Sequence, residues 1–204
     1  MSESQFKFPT EEVELPSKGL VYPKDNPLSS GKIEMKYMTA REEDILTNQS
    51  YIQNGTVLDK LLQSLIITKC DYKDLIVGDK NALLIAARIL GYGKDYEFEL
   101  RGEKQSIDLS TLENKPVDPK VFEQGKNEFS YVLPNSNAAL TFKLLTHDDE
   151  RKIDAEVKGL KKINKNASPE LSTRLKHMIL SVNGESEKKD IRDFVDNCFP
   201  VTIG

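Results

Sequence analysis

Between Gly31 and Gly93 the chain is punctuated so densely with helix starts and stops that few folds remain open to it. The stretch reads GKIEMKYMTAREEDIL, then NGTVLDKLLQSLI, then GDKNALLIAARILGYG. Lys32 to Tyr37 alternates as a strand does, with Ile33, Met35 and Tyr37 on one face. Thr39 followed three residues later by Glu42 is a capping box, in which the hydroxyl and the carboxylate satisfy free backbone N–H groups reciprocally. Thr56 and Asp59 repeat that offset and open a second helix. Its Val57, Leu58, Leu61, Leu62, Leu65 and Ile66 form one apolar stripe. Asp79 opens a third helix that is apolar nearly all round from Ala82 to Leu90, a pattern that predicts a central, buried position. Gly91 and Gly93 stop it.

Outside this block the period changes. Residues 1–30 hold Pro9, Pro16, Pro23 and Pro27, which rule out a continuous helix and predict an extended segment lying as a clip on its own core or on another subunit. From Tyr96 the alternation is of period two, with Tyr96, Phe98 and Leu100 against Glu97, Glu99 and Arg101. A turn at Gly102 and a return over Gln105 to Leu109 complete a hairpin. Phe129 to Leu133, a Pro134 to Asn137 turn and Ala139 to Leu145 predict a second hairpin. Thr146 with Asp149 is another capping box. The helix it opens carries Ile153, Val157 and Leu160 on a narrow apolar face. Ser168 and Pro169 start the next helix, with Leu171, Leu175, Met178 and Ile179 at helical spacing until Asn183-Gly184. A last short helix runs from about Lys188 to Cys198.

The order strand, helices, hairpins, helices defines an α+β class rather than a doubly wound sheet. The expected organisation is an extended segment at 1–30, an α+β lobe at 31–110, a linker loop at 111–127 and a hairpin-plus-helices lobe at 128–204. No stretch approaches the roughly 20 apolar residues of a membrane helix. The polar, acidic start MSESQFKFPTEEVELP lacks the architecture of a signal peptide. Cys70 and Cys198 are far apart in apolar-flanked segments and are expected to be buried free thiols of a reducing compartment.

Catalytic signals are weak. His147-Asp148-Asp149-Glu150 groups four potential metal ligands, but consecutive helical residues point in different directions, and acids in a first turn complement the helix dipole. Helix capping is therefore the expected role. His177 has no nucleophile beside it in sequence and falls on the flank of an amphipathic helix. Gly91-Tyr92-Gly93-Lys94 follows a helix, is continued by Asp95, and so fails as a phosphate loop. No catalytic residue, cofactor or metal is expected.

Binding signals are more informative. The 29 Lys and Arg against 33 Asp and Glu give a net charge of −4, which argues against a dedicated nucleic-acid binder. Residues 151–176 nevertheless hold eight basic and three acidic side chains, a local +5 that includes Lys158, Lys161, Lys162 and Lys165. Aromatic side chains that would stack on single-stranded nucleic acid are not interleaved there, so the patch suits solvent or an acidic protein partner better than RNA or DNA. Phe6, Phe8, Leu20, Val21 and Tyr22 near the start, and Phe194 and Phe199 near the end, have little neighbouring sequence to bury them and are candidate partner-binding residues alongside Lys158, Lys161 and Lys162.

Several stretches, in order, resemble the base plate protein family of T4-type contractile-tailed phages. They are LPSKGLVYP at 15–23, GKIEMKYMTAREEDIL at 31–46, NGTVLDKLLQSLI at 54–66, VGDKNALLIAARILGYGKDY at 77–96, FKLLTHDDE at 142–150 and ILSVNGESEKKDIRDFVDN at 179–197. The resemblance implies a non-enzymatic role in building the central baseplate hub beneath the tail tube, as an assembly chaperone or as a permanent hub component. Other hub proteins and the tape-measure protein would be partners. The place of action would be the host cell cytoplasm during assembly, or the finished tail. Some relatives hold paired cysteines in the first hairpin as a zinc knuckle. Here the turn is Arg101-Gly102-Glu103-Lys104, so no metal is implied. Longer relatives continue past the segment that resembles Phe194 to Cys198.

Overall fold

The computed structural model describes residues 9–166 and 168–198. Among them are seven α-helices and three small antiparallel sheets, the α+β architecture that the element order predicts. Strand β1 (Thr10–Glu14) pairs with β2 (Lys32–Lys36), and Ile33 and Met35 of β2 point into the core with no exposed surface. Three helices follow: α1 (Ala40–Leu46), a short α2 (Gln49–Gln53) that the apolar pattern does not announce, and α3 (Val57–Leu65). The long helix α4 (Val77–Tyr92) runs directly into the hairpin of β3 (Asp95–Leu100) and β4 (Glu103–Asp108). Arg101 and Gly102 both take the positive φ that a tight hairpin turn requires.

The second half begins with β5 (Phe129–Val132) and β6 (Ala139–Phe142), the predicted second hairpin. Helix α5 (His147–Ile163) and helix α6 (Glu170–Met178) lead to β7 (Ile179–Val182), and α7 (Lys188–Asn197) closes the described chain. The sequence pattern assigns Ile179 to the helix before it. In the structure Ile179 starts a strand that lies against β6, giving the order β5-β6-β7. Helix α6 also starts one residue later than the Ser168-Pro169 pair suggests, with Pro169 itself at the cap position.

The N-terminal segment lies on its own core, one of the two placements expected of it. Leu15, Val21 and Tyr22 belong to the largest buried cluster, with Leu28, Ile33, Met35, Leu62, Leu65, Leu75 and Leu83. One carboxylate ties them in. Asp79, on the first turn of α4, is fully buried and does not cap its helix. It accepts hydrogen bonds from the Ser17 N–H (3.0 Å), the Ser17 hydroxyl (2.7 Å) and the Tyr22 hydroxyl (2.6 Å). The Tyr22 oxygen in turn accepts the Ile76 N–H at 3.1 Å. Burial without a cation pushes the Asp79 carboxyl above its ordinary range, while these donors pull the other way. Two glycines let the backbone close around this node. A Cβ on Gly19 would stand 2.4 Å from the Ser29 carbonyl oxygen, and one on Gly31 would stand 2.7 Å from the Lys18 carbonyl carbon. Both have positive φ, which glycine alone adopts without strain.

Local signals fare unevenly. Both the Thr39–Glu42 and the Thr146–Asp149 capping boxes form. Thr56 caps nothing with its side chain, because Asp59 is engaged by Tyr72 and Lys80 instead. The stripe on α3 is narrower than its composition suggests, since Leu58 is exposed. Helix α4 is not buried all round: Asp79, Leu83 and Ala87 face the core, and Ile85 and Tyr92 are exposed. Leu84, Ala86 and Leu90 are partly buried against the same cluster, so only part of its apolar surface meets solvent. Of the two free thiols, Cys70 is half-buried and Cys198 exposed, so the burial expected of both does not hold for the second.

Asp79→Ala leaves three buried donors without an acceptor and is expected to lower stability by about 3 kcal/mol or more. Tyr22→Phe, which removes one donor and the acceptor of Ile76, is expected to cost about 1–3 kcal/mol. Urea unfolding followed by circular dichroism measures both. A change below about 0.5 kcal/mol for Asp79→Ala, the range of an ordinary surface substitution, would mean that the node does not hold the segment.

Candidate functional site

The structure separates the residues that the sequence groups as partner-binding. Val21 and Tyr22 are 3% exposed, so their side chains face the core and offer no surface to a partner. Tyr22 looks unprotected in sequence because its hydrogen-bond partners, Ile76 and Asp79, lie more than fifty residues away. Leu20 is half-buried, and its carbonyl accepts the Gly125 N–H at 2.8 Å, which straps the 111–127 loop to the N-terminal segment. Phe194 is half-buried against Leu133, Leu140, Ile179 and Ile191. Lys158, Lys161 and Lys162 are exposed on the last turns of α5. Phe6, Phe8 and Phe199 lie outside the described residues.

The string His147 to Glu150 divides its labour. Asp149 closes the cap of α5 and pairs with Lys143 at 2.7 Å. Asp148 pairs outward with Lys152 at 2.7 Å. Glu150 joins Lys80 of α4 to Arg174 of α6. His147 turns inward, its ring edge-on to Tyr72 with centroids 4.7 Å apart. Its Nδ1 is buried with no hydrogen-bond partner, 3.7 Å from the Asp59 carboxylate. Asp59 accepts the Tyr72 hydroxyl at 2.8 Å and lies 3.8 Å from Lys80. The cluster thus links α3, α4, α5 and α6, next to backbone bonds from Val77 N–H to the Leu145 carbonyl and from His147 N–H to the Leu75 carbonyl.

A groove of about 550 Å³ opens beside this cluster, lined by Thr56, Asp59, Lys60, His147, Arg151 and Asp154 among others. Its chemistry is that of ion pairs of mixed sign. Among the described residues no group of three or more His, Cys, Asp or Glu side chains is placed to hold a metal ion. His177 is engaged by Glu156 at 2.9 Å.

The larger exposed features lie elsewhere. Every residue of β3 is exposed, and Tyr96, Phe98 and Leu100 share one face of a two-stranded sheet. Arg88 of α4 lies over both the Tyr92 and Tyr96 rings, at 5.2 and 5.6 Å from their centroids. An arginine between exposed aromatics has the composition of an interface anchor. The hairpin's alternation is plain in the sequence, but nothing in the alternation says that no other element covers it. At the far end of α5, Leu160 and Ile163 are exposed among Lys158, Lys161 and Lys162.

Comparison with protein-family models, with curated proteins and with solved structures returns no match. No helix among the described residues is long and apolar enough to cross a membrane.

Burial holds the His147 imidazole below its ordinary value, and Asp59 offsets this only in part. Lys80 and Arg151 oppose its protonation, whereas Glu150 favours it. The unfolded chain therefore takes the proton first as pH falls. Stability is full above about pH 6.5 and declines as pH drops toward the folded value. The urea midpoint of the native chain is expected to fall between about pH 7 and about pH 5 by more than that of His147→Gln. Equal slopes for the two chains would remove His147 as the cause.

Proposed function

We propose that this chain is a non-enzymatic assembly protein of a contractile phage tail, acting in the central baseplate hub by protein–protein contact, as a hub assembly chaperone. The observation that carries the reading is the ordered resemblance of six stretches from Leu15 to Asn197 to the T4-type base plate protein family. What the structure adds in support is where those stretches fall. LPSKGLVYP and VGDKNALLIAARILGYGKDY meet at the Asp79 node. GKIEMKYMTAREEDIL and NGTVLDKLLQSLI meet at Glu42, which accepts from Lys36 (2.7 Å), Ser64 (2.6 Å) and the Thr39 hydroxyl (2.6 Å). Burial alone would raise the Glu42 carboxyl, but these donors hold it down at about 2. The resembling words are therefore the ones that make the two buried polar junctions of the first half.

The mode of action differs from that of a displaceable arm. Because Leu15, Val21 and Tyr22 are core residues, a partner that peeled the segment away would open the core. Contact through surfaces already exposed, the β3–β4 hairpin and the end of α5, costs no unfolding. Acidic residues on the hairpin, Glu97, Glu99 and Glu103, disfavour nucleic acid there, and the lysine patch on α5 lacks aromatic platforms.

Mass spectrometry of purified particles, beside complexes affinity-purified from infected cells, tests the proposal. Recovery with hub proteins in the intracellular complexes, and absence from finished particles, is the expected outcome. Presence in both at a fixed ratio makes the chain a permanent hub component. Association with no tail protein overturns the reading.

A further inference from the structure

The two edges of the β3–β4 hairpin differ in charge, and the register shows how. Arg101 and Gly102 both have positive φ, so the turn has two residues, and Leu100 and Glu103 exchange both ladder bonds. The bonded pairs then alternate down the ribbon as Phe98 with Gln105 and Tyr96 with Ile107. The bond from the Leu109 N–H to the Lys94 carbonyl, at 2.8 Å, continues the alternation. The pairs between them are Glu99 with Lys104, Glu97 with Ser106 and Asp95 with Asp108. Their N–H and C=O groups point away from the ribbon. On β3 the outward-facing residues are thus all acidic, and Arg88 already donates to the Asp95 carbonyl at 3.3 Å. On β4 they are Lys104, Ser106 and Asp108. Lys104 and Ser106 are exposed, and their backbones enter no hydrogen bond beyond the hairpin among the described residues. The Lys104 ammonium is likewise unpaired among them. Asp108 faces Asp95 across the ribbon, like charge against like, and Lys94 answers it at 2.5 Å. The Asp108 carbonyl accepts the Thr111 hydroxyl at 2.7 Å and keeps a second lone pair.

We propose that β4 pairs antiparallel with β4 of a second copy about a two-fold axis at Ser106, giving a sheet of order β3-β4-β4-β3. Outward-facing groups must meet outward-facing groups, so the possible registers differ by steps of two residues. With Ser106 opposite itself, Lys104 of each copy stands opposite Asp108 of the other, and the ion pair forms twice. A step either way sets Lys104 or Asp108 against Ser106 and loses both pairs. The same operation on β3 sets acid against acid in every register, which is repulsive. Charge therefore selects the β4 edge and one register of it. The pairing is isologous and closed, so it stops at two copies. It also meets a need of the hairpin, since a two-stranded ribbon is marginal alone and every residue of β3 is exposed. The contact is short, below the size of a standard interface, and the dimer is correspondingly weak. This inference does not rest on the assignment to a phage tail, because it uses only the hairpin.

Sedimentation velocity on the full chain, at concentrations up to about 1 mM, tests it. The native chain is expected to pass from monomer to dimer mass as concentration rises, and no further. Lys104→Glu sets acid against Asp108, and Ser106→Pro removes the N–H on the axis without touching the β3–β4 ladder. Both variants are expected to remain monomers, and circular dichroism checks that they fold. Cross-linking reads the register. Hydrogen-bonded partners in such a ladder stand about 5.5 Å apart at Cα, within reach of a disulfide. A Cys198→Ser background removes the exposed native thiol. In it, Ser106→Cys is expected to form a covalent dimer on mild oxidation, and Glu97→Cys is not. A native chain that stays monomeric overturns the proposal. So does association that Lys104→Glu or Ser106→Pro retains, and so does assembly beyond two copies. Cross-linking no faster at Ser106→Cys than at Glu97→Cys overturns it as well.

Discussion

The first half of this molecule depends on a carboxylate buried without a cation. Asp79 collects three hydrogen bonds from Ser17 and Tyr22, and the Tyr22 oxygen passes the connection on to the Ile76 backbone. A charged or polar group in a core is tolerated only when its bonds are met. Here the donors, Ser17 and Tyr22, come from the turns between β1 and a 3-10 helix at Pro27–Ser30, outside any strand or helix. The node therefore does for residues 15–22 what periodic secondary structure does elsewhere. It holds Leu15, Val21 and Tyr22 in register with the faces of α3 and α4 that they cover.

A second polar cluster plays the corresponding part between the halves. Asp59, Tyr72, Lys80, His147, Glu150 and Arg174 come from five different segments, and the backbone bonds around Leu75 and Leu145 run beside them. Ion pairs of this kind are poor sources of net stability and better at setting one arrangement of helices against another. The unpartnered Nδ1 of His147 marks where the arrangement is incomplete. Its position beside a groove of mixed charge is a matter of packing at a helix start, with the first acidic turn of α5 spread over four separate tasks.

What was legible in the sequence was what is local. The capping boxes at Thr39 and Thr146 need only a four-residue window, and both form. The turn at Arg101-Gly102 is equally self-contained. Thr56 carries the same signal and does not use it, because Tyr72 and Lys80 compete for Asp59. Strand β7 escapes notice because its partner β6 lies forty residues back, as the Thr141–Ser181 hydroxyl contact measures, while its apolar spacing continues that of the helix before it. For α4 the composition overstates burial, since an apolar side chain needs a neighbour and Ile85 and Tyr92 have too little cover. The candidate interaction residues show the same limit. Lys158, Lys161 and Lys162 are exposed as their charge requires, whereas Val21 and Tyr22 find cover that nothing nearby in sequence foretells.

The separation between Ser17 and Asp79 has a consequence for how the chain is made. These two residues touch across 62 positions, and Tyr22 meets Asp79 across 57. Synthesis delivers about 5–20 residues each second. The first twenty residues therefore emerge seconds before the helix that completes their core exists. In that interval Leu15, Val21 and Tyr22 are bare apolar side chains on a nascent chain, and only the β1–β2 pairing, closed by Lys32 to Lys36, is within early reach. The acceptor that completes the Ser17 and Tyr22 hydrogen bonds becomes available only when α4 leaves the ribosome.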